Sequence, residues 1–577
     1  MIIDNGIPIT NKTNIATKFN NYFISKTDEL MSSYVVDETE LHSYHSNESY
    51  QIIYPCEFPA CTEDEVKLFI ENLSNSKACD VYGISNYFVK LHKERLLTNI
   101  TLLVNKSLSD GNFPLSLKMG VVNPVHKNGP KTDIQNYRPI TILPILSKIL
   151  EYALLRRLDD HMLKNQIIHK TQFGYTKNSN TECAVLHILN DIYKGVDNNQ
   201  PTSLTCLDLS RAFDCVTHSI LLNKLKKLKL PEKFLNILTS YLNDRQQIVR
   251  IDNFYSIIRK ISFGLAQGGV LSGSLFNLYV NSVNICGIKS SIVMYCDDIS
   301  IITSESDPWQ LKRTLEEDLS KISLWLKFHY LFPNPKKTHY LMFHNKRRHE
   351  DFYDLTLNIS FNGNIIQRLD CTKLLGVQID ETLSFTKHIY ELQNKIVSFV
   401  FALKRIRPFI EENTAKILYF AYIQSRLNYM NTVWIAAPGY ILDGLEIIQR
   451  KSLRIVFSKN WYCSGSELYS RDILPVTLMC KYSSAILTFK LIHGLYKINF
   501  SIQYVHNMHR YRTRNNDDLV VERTQTQLGS MNFFSRAFLQ YNNLPTTVKS
   551  QISLGKFKSK LRDAIYEEVV MRYEMRV

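Results

Sequence analysis

The sequence predicts a mixed α+β fold divided among several domains, and three observations carry that reading. Short β-rich runs, Thr202–Leu209, Ser291–Thr303 and His339–Phe343, end or turn on acidic or basic residues and lie between long stretches of helical periodicity. After residue 385 the strand pattern gives way to amphipathic helices. A chain of 577 residues also exceeds one core, at roughly 100–200 residues per domain.

Composition narrows the class. Hydrophobic residues are 45% and charged residues 21%, which is ordinary globular material rather than a disordered tail. Lys+Arg 69 against Asp+Glu 54 gives a formal charge of +15, so a polyanion is the natural partner. Eleven cysteines show no CxxC pair and no zinc-finger spacing, and several sit inside apolar runs. Reduced structural thiols in an intracellular protein, nuclear or cytoplasmic, are expected. Met1 to Gly6 is not a signal peptide, and no apolar run is long enough to cross a bilayer. Lys346-Arg347-Arg348-His349 fits a solvated loop better than a nuclear address, so no clear targeting signal is present.

In chain order, residues 1–60 read as one amphipathic helix, marked by Ile15, Phe19, Phe23 and Ile24, and a linker. Residues 61–106 read as a helical lead-in. Thr62 followed by Glu63, Asp64 and Glu65 marks a helix start, because acids suit the N-terminal dipole. Residues 107–380 carry the strands. Val121 to Lys127, then Asn128-Gly129, then Ile134 to Leu143 read as strand, turn and strand. This hairpin brings Lys127, Lys131 and Arg138, which equally suit an exposed edge that resists pairing. Ser147–Leu163 is an amphipathic helix, Gln172-Phe173-Gly174-Tyr175 a loop, and Thr181 opens another helix. Ser210 to Asp214 reads as helical, and the lysines around Leu221, Leu225 and Leu228 as a solvated face. A Gly-rich loop, Gly264 to Phe276, enters an apolar helix; Trp309–Phe328 is amphipathic; Lys373 to Asp380 reads as a strand. Residues 381–460 are helical and studded with Lys404, Arg405, Arg407, Arg450, Lys451 and Arg454. These cations suit a grip on nucleic acid or the surface of any helical bundle. Residues 461–577 form a basic region in which His509 to Arg514 interleaves bases with Tyr511, a pattern suited to single strands, and which Phe557, Leu561, Ile565 and Val569 close as a basic helix.

The chemistry centres on Tyr295-Cys296-Asp297-Asp298. Two adjacent carboxylates between apolar runs repel each other and resist ionisation, unless a tight hairpin offers them a cation. Asp208 closes another β-rich run where strand meets helix, and Asp214 behind it reads as structural. Three carboxylates suit two divalent ions that clamp the attacking and leaving oxygens of an in-line displacement. Mg²⁺ prefers a few carboxylates plus substrate phosphates, and Lys127 with Arg138 could meet a triphosphate.

Cys206 to Asp214, Ala266-Gln267-Gly268, Tyr295 to Asp298 and Asn136-Tyr137-Arg138-Pro139-Ile140 occur together and in order. With Leu374-Leu375-Gly376-Val377, Ser425 to Tyr429 and Leu544-Pro545, this set resembles the reverse transcriptases of non-LTR retrotransposons, the jockey-like branch most closely. The resemblance runs from about residue 60 to the C-terminus and implies a right-hand polymerase fold. Residues 107–380 would form fingers and a palm with an antiparallel sheet, 381–460 a helical thumb, and 461–577 a mostly helical extension. It implies an RNA-directed DNA polymerase joining dNTPs to a primer 3′-hydroxyl. Two Mg²⁺ ions, or Mn²⁺, would lie on Asp208, Asp297, Asp298 and the Leu209 carbonyl. Phe213 would sit under the incoming sugar, Gln267 and Gly268 along the template and nascent pair, and Lys127 and Arg138 at the triphosphate. Lys336 or Lys337 would be the acid for pyrophosphate. RNA template and DNA primer, or a nicked target DNA, would be the partners, without a membrane.

Three features depart from the family pattern. Ala266 stands where a proline is usual, Ser272-Gly273 replaces Gly-Pro, and Cys296 replaces a more common alanine. Relatives carry an endonuclease ahead of the polymerase, whereas this chain opens in what reads as the linker. A separately encoded or lost endonuclease is therefore expected as a partner. The competing expectation is a truncated or co-opted copy that binds RNA without synthesis.

Overall fold

The computed structural model describes residues 1–4, 6–34, 36–46, 48–344, 356–497, 502–507 and 517–574. The basic clusters at Lys346–His349 and His509–Arg514 lie outside the described residues. Among the described residues no helix is long and apolar enough to cross a membrane.

The centre is a five-stranded sheet in the order Ser291–Tyr295, Asp298–Ser304, Thr202–Leu207, His339–Phe343 and Gln367–Arg368. The first four strands pair antiparallel and the last joins parallel. Register aligns Ile302 with Leu204 and Leu341, and one step on aligns Ile301 with Thr205 and Tyr340. Successive side chains point to opposite faces, and here both faces are buried. Leu204, Ile302 and Leu341 enter one apolar core with the helix Thr181–Asp197 and the C-terminal helices. Ile301, Tyr340 and Met342 enter another with the helices Ser272–Val280 and Pro308–Phe328. Double burial explains why these strands carry apolar or small residues on both faces rather than a strict alternation with charged ones.

A second sheet orders Tyr137–Ile142, Met119–His126, Arg245–Ile251 and Phe254–Tyr255, with Arg259–Ile261 also on Arg245–Ile251. The N-terminal helix Lys12–Ser33 covers it: Phe19 meets Tyr137 edge-on at 4.9 Å, and Asn20 accepts from Gln247 Nε2 at 2.8 Å.

Several sequence expectations hold. Thr62 caps Glu63–Asn72 by accepting from Glu65 N, and Ile145–Lys164, Pro308–Phe328 and Leu554–Glu574 are helices. Phe557, Leu561, Ile565 and Val569, spaced by four, are buried as one stripe.

Other expectations change. The N-terminal stretch adds a hairpin, Ile2–Asp4 with Ile7–Ile9, and a helix, Glu38–Ser46; three-residue strands are too short to show a period. Asn128-Gly129 is not a two-residue hairpin turn, because register pairs His126 with Tyr137 and leaves a ten-residue connection through Pro130. Ser210 to Asp214 is not helical: Leu209–Ser210 pairs with Phe332–Pro333, and Arg211 takes a positive φ of 52° that breaks helical geometry. Lys373 to Asp380 is a hairpin, Cys371–Leu374 with Val377–Asp380. Leu375 and Gly376 both take positive φ, the backbone a tight hairpin turn requires.

The lysine-rich helix His218–Lys227 is not solvated throughout. Lys224 is 1% exposed. Its Nζ donates to Glu48 Oε1 at 3.0 Å and to Ser282 Oγ at 2.9 Å, while Glu48 Oε2, at 2.9 Å, is held by charge. Burial pulls this ammonium down to about 8, with Glu48 opposing. Lys227 donates to the Glu48 carbonyl, so two lysines fasten the N-terminal stretch to the back of the central sheet's helices. Removing one member of a buried pair leaves the other charged and unpartnered. Glu48→Ala is expected to lower unfolding free energy by about 3 kcal/mol in denaturant melts, and Glu48→Leu with Lys224→Met to recover most of that loss.

Candidate active site

The site forms where the central sheet stops. Thr202–Leu207 ends at Asp208, whose carbonyl accepts from Asn334 N at 2.8 Å. On the neighbouring strands Tyr295 pairs with Asp298, so Cys296 and Asp297 make a two-residue turn. Cys296 takes a positive φ of 60° there. Because Ile299 pairs with Leu207, Asp298 and Asp208 leave adjacent strands at the same end. Residues far apart in sequence thus meet by register alone.

Electrostatics reports the crowding. Burial raises the Asp297 carboxyl, and Asp208 raises it further, while Arg138 and Lys127 lower it. Asp298 stays open to solvent on one side, yet surrounding protein, then Asp297 and then Asp208, push it up to about 6. Lys337 Nζ stands 3.0 Å from Asp208 Oδ2. Lys336 and Lys337 are both exposed, and of the two Lys337 is the one that pairs with this acid. Lys127 and Arg138 share one face of their hairpin, since Val125 pairs with Arg138 and Lys127 lies two residues on. Burial lowers the Lys127 ammonium, Lys337 and Arg138 add to that, and Asp208 and Asp297 oppose it. All six charged side chains therefore belong to one electrostatic cluster.

A divalent ion suits this donor set. Mutually repelling carboxylates offer hard oxygens, and added positive charge would relieve the repulsion. Among the described residues no three carboxylate, imidazole or thiolate groups already surround one point. The Lys337 ammonium meanwhile supplies the positive charge beside Asp208.

Phe213 stacks on Phe276 at 4.3 Å and meets Tyr175 edge-on at 6.3 Å. The Gly-rich loop is held from three sides. Thr141 N donates to Gln267 O at 2.8 Å, and a Cβ on Gly268, at φ 118°, would stand 2.7 Å from Thr141 O. Gln267 Nε2 donates to Asp214 Oδ1 at 2.8 Å, so Asp214 orients that glutamine. Fully buried Glu151 accepts from Val270 N at 2.7 Å and Leu271 N at 3.2 Å. Ser272 Oγ closes the loop onto Ala266 O at 2.8 Å.

Sequence reasoning passed over Gln172 and Gly174. Gln172 Oε1 accepts from Cys296 N at 3.2 Å, and a Cβ on Gly174 would lie 2.4 Å from Cys296 Sγ. The only local signal was a glycine inside an aromatic loop. Of the six basic residues singled out beyond 381, Lys404, Arg405 and Lys451 are exposed. Arg407 donates to Val456 O and Ile410 O, and Arg454 to Cys463 O. Arg450 is half-buried within electrostatic reach of Tyr469.

A family described as reverse transcriptase (RNA-dependent DNA polymerase) matches residues 125–379. The chain is 27% identical over 421 residues to a probable RNA-directed DNA polymerase from transposon BS of Drosophila melanogaster, covering 71% of this chain and 46% of that one. It is 27% identical over 425 residues to the RNA-directed DNA polymerase from mobile element jockey of the same fly, covering 72% and 46%. For a probable polymerase from transposon X-element the figures are 25% over 460 residues, covering 78% and 49%. The chain spans about half the length of these relatives. Residues 125–379, which hold all three aspartates, match the reverse transcriptase family, in a chain similar to RNA-directed DNA polymerases from transposon BS and mobile element jockey.

Proposed function

We propose that the chain is an RNA-directed DNA polymerase that extends a DNA primer, or a nicked DNA target, on an RNA template using dNTPs. The observation carrying this reading is the register that delivers Asp208 beside the Asp297 turn inside the reverse transcriptase match. In a right-hand arrangement the central sheet is the palm, and the sheet bearing Lys127 and Arg138 belongs to the fingers. Residues 61–106 lead in, 107–380 hold fingers and palm, 381–460 the thumb, and 461–577 an extension.

Asp208, Asp297, Asp298 and the Leu209 carbonyl would hold two Mg²⁺ ions, with Mn²⁺ as the alternative. When bound, the ions supply charge that steadies the attacking and departing oxygens. The chain's own residues do the rest. Lys127 and Arg138 receive the triphosphate. Phe213, stiffened by Phe276 beneath it, sets the floor under the sugar and excludes a 2′-hydroxyl. Gln267 and Gly268 line the nascent pair, kept in shape by Asp214, Thr141 and Glu151. Ser272 closes the loop that Ala266 leaves without a proline. The primer 3′-hydroxyl loses its proton to solvent as its oxygen displaces pyrophosphate from the α-phosphorus, and Lys337 gives its own proton to the leaving oxygen. Lys404, Arg405 and Lys451 offer charge to the phosphate backbone.

Three measurements test this reading. Asp297→Ala is expected to abolish Mg²⁺-dependent extension of a primer on RNA; normal extension by that variant would falsify it. Lys337→Met is expected to lower kcat by about a hundredfold and Lys336→Met by less than about twofold. The third is a linkage. A folded Asp298 at about 6 against an ordinary 3.8 binds its proton more tightly than the unfolded chain does. The stability this confers is full below the unfolded value and is lost as pH rises through about 6. Mg²⁺ is thus expected to raise the melting temperature at about pH 8, to do so far less at about pH 5, and to lose the effect in Asp297→Asn.

A further inference from the structure

The aspartate turn has a support that begins outside the reverse transcriptase match. Ser291–Tyr295 is the edge strand of the central sheet, and the loop through Gln172 lies along it. Phe173 N donates to Met294 O at 2.8 Å, and Met294 N to Thr171 O at 2.9 Å. Gln172 is 1% exposed. Its Oε1 accepts from Gly174 N at 2.9 Å and from Cys296 N at 3.2 Å. Two backbone donors on one atom fix which way the amide faces. The residue after Cys296 is Asp297, so the Gln172 side chain grips the turn next to the catalytic candidate.

The main-chain carbonyl of Gln172 is held in turn by Lys497. The Lys497 Nζ donates to it at 2.6 Å and stands 5.2 Å from the centre of the Phe173 ring. The same segment is fastened along the loop. Lys497 N donates to Asn178 O at 2.8 Å, and Tyr496 Oη donates to Asn180 Oδ1 at 2.7 Å and Glu182 Oε2 at 3.0 Å. Lys497 is half-buried, and burial pulls its ammonium down to about 8. Among the described residues no carboxylate forms an ion pair with it. An apolar side chain would fill the space without the cost of desolvating a cation. It would not hold the Gln172 carbonyl.

We infer that Lys497 is a positioning residue for polymerisation: through Gln172 it fixes the turn that carries Asp297, so the C-terminal region completes the palm. This rests on the polymerase reading of the aspartate turn. A purely adhesive role would stabilise the protein without setting the turn, and the two roles separate experimentally.

In the full chain, Lys497→Met is expected to lower kcat for primer extension on RNA about tenfold while dNTP KM stays within about twofold. Amide exchange across residues 291–298 is expected to quicken. Lys497→Arg, which keeps a donor for the carbonyl, is expected to restore most of the rate. In a Gln172→Met background the link is already cut, so Lys497→Met is expected to add no further loss. Tyr496→Phe, which removes the phenol bonds to Asn180 and Glu182, is expected to lower the melting temperature and keep kcat. A Lys497→Met protein with unchanged kcat, or with an equal loss in both backgrounds, overturns the inference. If the wild-type chain extends no primer, the polymerase reading fails instead. The exchange measurement then decides alone, and unchanged exchange across 291–298 overturns the link.

Discussion

Mutual repulsion among Asp208, Asp297 and Asp298 is the constraint around which the rest is arranged. Three carboxylates meet at one end of a sheet, where Asp208 raises the proton affinity of Asp297 and both raise that of Asp298, and nothing in an apolar core would tolerate them. The chain keeps them at the rim, where strands end, and surrounds them with Lys127, Arg138 and Lys337. Their placement needs a sheet that cannot slip. A one-residue shift exchanges every side chain between faces, and here both faces lead into separate cores. Packing on two sides therefore fixes where three charges meet.

The surrounding structure reads as devices that hold short loops still without adding charge. Glu151 satisfies two amides of the Gly-rich loop from below, Thr141 fixes its height, and Asp214 turns Gln267. Gln172 does the same for the aspartate turn. Except at Asp214, whose donor is the Gln267 side-chain amide, a buried side chain or carbonyl takes backbone donors that would otherwise be left unpaired, at a cost of about 1–3 kcal/mol each. Preorganised loops suit phosphoryl transfer, where positioning and electrostatics carry most of the rate.

Much of this was legible in the sequence where one segment carried the whole signal. The acid pair between apolar runs, the Thr62 cap and the four-residue spacing from Phe557 to Val569 each announce themselves locally. What was hidden depended on a distant partner. Lys224 reads as solvated until Glu48, 176 residues away, is placed beside it. Arg407 and Arg454 look the same as Lys404 in the sequence, but two of them turn inward to carbonyls of their own bundle. Leu374 to Val377 hides a hairpin because its turn is as apolar as its strands. The Gln172 loop gave only a glycine and two aromatics, and its purpose appears once Met294 and Cys296 lie against it.

The contact between Gly268 and Thr141 has a mechanical consequence. Thr141 belongs to the strand that carries Arg138, and there is no room for a Cβ between that strand and the Gly-rich loop. The strand and the loop therefore touch backbone to backbone at this point. One contact thus sets the spacing between the element that carries Arg138 and the one that carries Gln267, and any side chain added at Gly268 would push the two apart.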